Sequence, residues 1–255
     1  MQPFASYPSL KDRAVFISGG GSGIGACIVE HFAEQGAKVG FVDIDEAASK
    51  ALSARIASAG HPQPLFAKCD VRDIAAYQAV IADMAGRLGA ITVLVNNAAR
   101  DDRHSIEEVT PAFWDERISV NLRHQYFAIQ AVAPGMKKAG GGSIVNFSSV
   151  SYHTMSPRLS VYQAAKAAVI GMTRGLARDL GPDKIRLNAI TPGWIMTQRQ
   201  IDLWLTPEAE ADLMKRQCLK EKLYPTDIAR MALWLAADDS RLVTAQNFVV
   251  DGGSV

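Results

Sequence analysis

Tyr162 and Lys166 stand four residues apart in the run SVYQAAK, Ser160 to Lys166. On a helix, the spacing i, i+4 sets both side chains on one face. A phenol is a poor base at its ordinary pKa of about 10. A neighbouring ammonium favours the phenolate and draws that value down. Taken alone, a Tyr/Lys pair at this spacing is most often a packing feature. This one follows a β-rich run that ends in NFSS, Asn146 to Ser149, so a hydroxyl is available beside the phenol. Proton transfer is the chemistry such a set would do.

A second chemical segment lies near the start of the chain. An apolar run passes into SGGGSGIG, Ser18 to Gly25. Strand, glycine turn and helix is the context in which backbone N–H groups receive a pyrophosphate. Gly19 permits the tight turn, Gly23 lets the backbone approach a ligand, and Gly25 allows close packing of helix on sheet. A glycine cluster alone also fits a flexible turn. Asp43 sharpens the reading: it ends the next apolar run, about 20 residues past the glycines, where an acid hydrogen-bonds adenosine ribose hydroxyls. The same carboxylate repels a 2′-phosphate, and neither Ser22 nor Ile44 offers a compensating positive charge. NAD is therefore expected over NADP, and its positive nicotinamide would further favour a phenolate at Tyr162. Asp45 reads as a helix cap or a solvated acid.

The elements that position these groups follow a repeating pattern. Strands are expected at Ala14 to Ser18, Lys38 to Asp43, Pro64 to Cys69, Thr92 to Val95, Ser143 to Phe147, Ile185 to Ile190 and Asn247 to Val250. Their near-continuous apolar character suits strands buried on both faces of a parallel sheet. Helices are expected at Ile24 to Gln35, Ala47 to Ala59 and Ile74 to Leu88, with Gly36, Gly60 and Gly89 at their ends. Strand–helix alternation predicts right-handed crossovers, an α/β class and one doubly wound domain over residues 1–255. The irregular stretch Trp194 to Leu223 follows a strand, where open α/β sheets bind ligands. It is read as a substrate lid.

Composition narrows the classes. The chain has 255 residues, 48% of them hydrophobic, which suits a packed globule. A net charge of +1, with the charges interspersed, gives no electrostatic reason to expect nucleic acid or an anionic membrane as partner. Cys27, Cys69 and Cys218 are odd in number and form no CxxC pair. Together with five scattered histidines they predict neither a disulfide framework nor a metal site. The opening MQPFASYPSLKDR is not read as a signal peptide, and no stretch reads as membrane-spanning, so a cytoplasmic location is expected. Met1 to Leu10 is expected to be an exposed or subunit-packing tail.

Taken in order, the glycine motif, the NNA segment, the Ser/Tyr/Lys set, PGW at Pro192 to Trp194 and VDGG at Val250 to Gly253 resemble the short-chain dehydrogenase/reductase family over essentially the whole chain. The resemblance implies a Rossmann-like seven-stranded parallel sheet with helices on both faces, and usually a homotetramer. By position it implies Ser149, rather than Ser148, as the family serine and Tyr162 as acid/base. Lys166 would bind the nicotinamide ribose and lower the tyrosine pKa. Asn121, in SVNLRHQ, would hold a proton-relay water. The cofactor set it implies begins with Gly19, Ser22, Gly23, Ile24, Gly25, Asp43 and Ile44. Asp70 at the adenine and Val71 follow, then Asn97 near the adenosine-side ribose with Ala98 and Ala99. Pro192, Gly193, Ile195 and Thr197 complete the set at the nicotinamide, with Tyr162 and Lys166. Two departures stand out: Ser18 replaces the commoner threonine, and Ala99 replaces a usual glycine, so that position is not expected to need a positive φ.

The substrate is not chosen by fold. The segments from NNAARDDRH to NLRHQYF and TPEAEADLMKRQCLK are similar to bacterial NAD-dependent aldose 1-dehydrogenases of the D-xylose, L-arabinose and D-galactose type. That likeness implies oxidation of a cyclic sugar at C1 to the aldonolactone. A sugar site should be rich in hydrogen-bonding groups, since each hydroxyl leaving water needs a partner. His153 and Gln198 are the expected sugar contacts beside Ser149 and Tyr162, with Trp194 as an apolar platform. Arg100 to His104 is expected mainly to shape its loop through ion pairs. A polyol or secondary alcohol dehydrogenase, or a ketone reductase, is the competing enzyme reading. A non-catalytic NAD-binding regulator is disfavoured by the intact Asn121, Ser149, Tyr162 and Lys166.

Overall fold

The computed structural model describes residues 4–255. Seven parallel strands run in the order β3-β2-β1-β4-β5-β6-β7. They are β1 (Ala14–Ser18), β2 (Lys38–Asp43), β3 (Leu65–Lys68), β4 (Ile91–Asn96), β5 (Gly142–Phe147), β6 (Ile185–Pro192) and β7 (Asn247–Val250). The central strands alternate their apolar side chains between two cores, which is why they read as unbroken hydrophobic runs. Val15 and Ile17 of β1 face one core with Phe32 and Leu233, while Phe16 faces the other with Tyr77 and Met136.

Helices cover both faces: α1 (Gly23–Glu34), α2 (Glu46–Ser58), α3 (Ile74–Leu88), α4 (Pro111–Ile118), α5 (His124–Lys138), α6 (Ser160–Leu180), α7 (Gln198–Trp204), α8 (Pro207–Arg216) and α9 (Pro225–Ala236). Helix α3 has the bounds expected from its periodicity, and α1 and α2 differ by a residue at each end. Asp45 caps α2, its carboxylate accepting from the Ala48 N–H at 3.0 Å. The strand expected to end at Ile190 runs on to Pro192, because Thr191 and Pro192 pair with Val249 and Val250 of β7. The expected N-terminal tail is partly core. Leu10 is fully buried and the Tyr7 N–H donates to Gln35 Oε1 at 2.7 Å. Residues 1–3 lie outside the described residues.

The strand order reverses beside β1, whose neighbours are β2 and β4. The crevice beyond the carboxyl ends of β1 and β4 is where a sheet of this topology receives a ligand. Among the described residues no helix is long and apolar enough to cross a membrane.

Candidate active site

The glycine loop is assembled by backbone contacts. Gly19 takes a φ of 68°, in the left-handed region that disfavours side chains. A methyl group added at Gly25 would lie 1.8 Å from the Gly19 carbonyl oxygen, so only glycine lets α1 approach β1 this closely. Asn97 locks the turn: its Nδ2 donates to the Ser18 and Gly19 carbonyls at 3.2 and 2.9 Å. The Ser18 hydroxyl accepts from the N–H groups of Asn97 and Ala98, both at 3.1 Å. A serine therefore retains the hydrogen bonds for which the hydroxyl matters. Ala99 has no positive φ, as its side chain requires.

Asp43 closes the other side of the loop. One carboxylate oxygen accepts from the Gly21 N–H at 2.8 Å and the other from the Asp45 N–H at 3.0 Å. These bonds fix a negative charge at the end of β2, beside an exposed Ile44. Asp70, just beyond β3, is held by Arg72, which keeps its carboxyl below the usual carboxylate range.

Helix α6 presents Tyr162 and Lys166 on one face, with the Lys166 ammonium 5.6 Å from the Tyr162 ring centroid. Lys166 is buried and donates to the Phe147 carbonyl at 2.9 Å. Burial lowers its pKa to about 7. The two serines separate by role. Both line the cavity, but Ser148 donates to the Lys166 carbonyl at 2.7 Å, whereas the Ser149 hydroxyl accepts from the Ser151 N–H at 3.2 Å and stands on the side of the Tyr162 phenol. Burial and the Asp101 carboxylate push the Tyr162 phenol up, while the bond to Ser149 and the charge of Arg103 draw it down. In the protein alone the first pair prevails, so the low phenol pKa expected from Lys166 is not a property of the polypeptide by itself.

Asn121 lies in a π-helical turn, Ser119–Arg123, between α4 and α5. Its side chain is fully engaged, accepting from the Arg100 N–H at 2.9 Å and donating to the Arg100 and Arg117 carbonyls at 3.0 and 2.9 Å. Its own backbone carbonyl accepts from Gln125 Nε2 at 3.2 Å.

A cavity of about 870 Å³ lies against Ser149, Tyr162 and Lys166. Ile24, Asn97, Ala99, Pro192, Gly193, Ile195 and Thr197 line it, whereas Asp43, Ile44, Asp70 and Val71 stand outside it, at the ends of β2 and β3. Gly23 faces Thr197 across the glycine loop, a methyl at Gly23 falling 3.3 Å from Thr197 Cγ2. Trp194 also lines the cavity. His153 does not: it is exposed and stacks on Tyr152, with ring centroids 4.0 Å apart. Gln198 is exposed too, donating to Asp202 at 2.7 Å on the outer side of α7. Both were expected to line the site; the lining instead includes Gln200 and Trp204 of α7, which the sequence reading did not name. A signal was present. Thr197-x-x-Gln200 has capping-box spacing, and Thr197 Oγ1 accepts from the Gln200 N–H at 3.3 Å. Starting the helix at Gln198 turns Gln200 inward.

The charged run after β4 forms the facing wall. Asp101 and Arg103 line the cavity. Asp102 pairs with Arg100 at 3.0 Å and with Arg117, and His104 is buried against Ser160. Loop shaping by ion pairs is therefore what most of this run does.

A parallel sheet with a glycine turn at its switch point and a Ser/Tyr/Lys set over the crevice defines a nucleotide-dependent oxidoreductase scaffold. Residues 19–254 match the family described as Enoyl-(Acyl carrier protein) reductase. The chain is 51% identical to the probable galactose dehydrogenase GalD of Rhizobium meliloti (strain 1021), covering 98% of each chain. It is 50% identical to the D-xylose 1-dehydrogenase of Caulobacter vibrioides (strain NA1000 / CB15N), again over 98% of each. A 7α-hydroxysteroid dehydrogenase solved with NADH and 7-oxo glycochenodeoxycholic acid superposes with a TM-score of 0.91 at 30% identity, covering 97% of both chains. The chain belongs to the short-chain dehydrogenase/reductase family.

Proposed function

We propose that this protein is an NAD-dependent aldose 1-dehydrogenase, oxidising a cyclic aldose of the D-xylose, L-arabinose or D-galactose class at C1 to the aldonolactone. The observation that carries this reading is the cavity's makeup: Tyr162 and Ser149 sit at its floor, and Asp101, Arg103 and Gln200 stand in its wall. The polar groups among these offer partners to sugar hydroxyls, set in a lining that is otherwise largely apolar, with Phe147, Val150, Leu159 and Trp204. The full-length likeness to galactose and xylose dehydrogenases supports the same substrate class.

The glycine loop, Asp43 and Thr197 fit the cofactor. Gly19, Gly21 and Gly25 have no room for a side chain, the Asp43 carboxylate is anchored by two N–H groups and would meet the adenosine ribose, and neither Ser22 nor Ile44 offers a cation to a 2′-phosphate. When bound, NAD supplies the hydride acceptor. In the polypeptide, Ser149 donates to the anomeric oxygen and holds it against Tyr162. Tyr162, as phenolate, takes the hydroxyl proton while C1 gives up its hydrogen with both electrons and the C1–O bond becomes a carbonyl. Lys166 holds the nicotinamide ribose, and in its protonated form its charge favours the phenolate. The Asn121 carbonyl would hold the water that passes the proton outward. Trp194, Gln200 and Trp204 form the lid side, within the segment 194–223. A homotetramer belongs to the same reading, as the likeness to the family implies.

The test is kcat/KM for D-xylose, L-arabinose, D-galactose, D-glucose and L-fucose with NAD and with NADP. NADH formation from at least one aldose, with NAD preferred, is expected. Oxidation of polyols with NAD, or reduction of ketones with NADH, with turnover of none of the aldoses, would establish the competing reading instead.

A further inference from the structure

Helix α7 has seven residues, none of them buried, and forms part of the cavity wall through Gln200 and Trp204. A helix this short has little stability of its own, and with no apolar face in the core its position needs other restraints. The structure supplies them from one side chain. Asp101, on the loop after β4, accepts from Gln200 Nε2 at 3.0 Å through one oxygen and pairs with Arg199 at 3.2 Å through the other. Gln200 in turn accepts from Trp194 Nε1 at 2.9 Å. The side chain of Asp101 is only 22% exposed, so its pairs are less screened than those on the open surface. Two weaker restraints flank it: Arg199 reaches Asp102 at 3.5 Å, and the Arg103 guanidinium lies 4.8 Å from the Trp204 ring centroid.

We propose that Asp101 is a positioning residue that latches α7 over the cavity, seating Gln200 and Trp194 above Tyr162 so that a polar substrate is enclosed before it reacts. Its two oxygens act through other residues. Releasing them removes two restraints on α7 at once and leaves only the weaker Arg199–Asp102 pair and the Arg103–Trp204 contact to hold it to that loop. The latch stands in the catalytic field as well. Ser149 from the loop after β5, Lys166 from α6, and Asp101 with Arg103 from the loop after β4 are the polar and charged groups facing Tyr162. Among them Asp101 is the one negative charge. Removing it therefore makes the phenolate easier to form, while removing Gln200 leaves that charge in place.

The experiment is amide hydrogen exchange on the full-length enzyme with NAD, read on peptides spanning 198–204, combined with steady-state kinetics against pH. Asp101→Ala is expected to speed α7 exchange at least tenfold and to raise the aldose KM about tenfold. NAD affinity should stay within about twofold, and exchange in β1, β4 and β5 should be unaltered. Asp101→Asn is expected to move the acid limb of the kcat/KM profile to lower pH; Gln200→Ala should raise KM with the limb unmoved. Asp212→Asn, which removes a surface pair with Lys215 on α8, should alter nothing. Unchanged α7 exchange in Asp101→Ala would overturn the latch, as would faster exchange spread through the sheet. The size of the KM effect rests on the aldose reading, but the exchange readout does not. If α7 responds and no aldose is oxidised, the substrate reading fails and the latch stands. If aldoses are oxidised and α7 does not respond, the latch fails alone.

Discussion

Around Gly25 the decisive contacts run from backbone to backbone, with α1 too close to the Gly19 carbonyl for any side chain to intervene. Around Asp101 they run from side chain to side chain, through Gln200, Arg199 and Trp194. The first arrangement is set by what is absent from the sequence, namely Cβ atoms, and has almost no alternative conformation. The second depends on long polar side chains that reach across a gap between a loop and a short helix, so it can open. A dinucleotide of one fixed shape suits the rigid half. A substrate that has to be enclosed and released suits the half that can open.

The largest effect should come from crowding the rigid half. Gly25→Val would drive a branched side chain into the Gly19 carbonyl and Asn97 Nδ2. Overpacking of this kind typically costs about 1–3 kcal/mol, and here the loop itself has to move. NAD binding, followed by the quenching of tryptophan fluorescence, is expected to be lost, with a lower Tm. An intact NAD affinity would show that the backbone contact is not what shapes the loop.

The next effect separates chemistry from binding. Tyr162→Phe removes the proton acceptor but keeps the ring, so kcat should fall by roughly 10²–10⁴ with NAD affinity unchanged. In the proposed mechanism the phenol has to be ionised to accept the proton. Burial and Asp101 hold its pKa above the ordinary value, so kcat/KM should rise with pH into the alkaline range and fall as pH drops. Loss of that pH dependence in the residual activity of Tyr162→Phe would tie the limb to this side chain.

A smaller effect is expected at Asp43. Asp43→Asn leaves an oxygen for the Gly21 N–H and removes the charge, so the loop should persist while the repulsion of a 2′-phosphate disappears. The NADP-to-NAD ratio of kcat/KM should rise about tenfold, equivalent to about 1.4 kcal/mol. An unchanged ratio would show that the discrimination lies elsewhere in the loop.

The contrast between the two halves also decides what could be read from the sequence. The sheet, its order of elements and the glycine loop were legible because each leaves a local mark: apolar runs of strand length, helical periodicity, and glycines where no other residue fits. Tyr162 and Lys166 were legible because one helix carries both at a fixed spacing. The α7 contacts were not, since whether a polar residue in an irregular segment faces the cavity depends on where a seven-residue helix begins. His153 and Gln198 have suitable chemistry and suitable positions in the chain, but one is stacked on Tyr152 in solvent and the other is bonded along the outer face of α7 to Asp202. Asp101 illustrates the same limit from the other side. It looked like one more charge in a polar run, and only the approach of Arg199 and Gln200, about a hundred residues away, distinguishes it.

The smallest predicted effect is also the sharpest test of that difference. Gln198 and Gln200 are the same residue type, two positions apart, on the same helix. Gln198 is exposed and joined to Asp202 four residues on, an arrangement that contributes a few tenths of a kcal/mol at most. Gln198→Ala should therefore leave KM and kcat within about twofold for whichever aldose is turned over. Gln200→Ala breaks the path from Asp101 to Trp194 and should raise KM several-fold more than its neighbour does. Equal effects would mean that α7 responds to any loss of helix-end polarity. Unequal effects, in this order, would mean that its inner face alone carries the restraint.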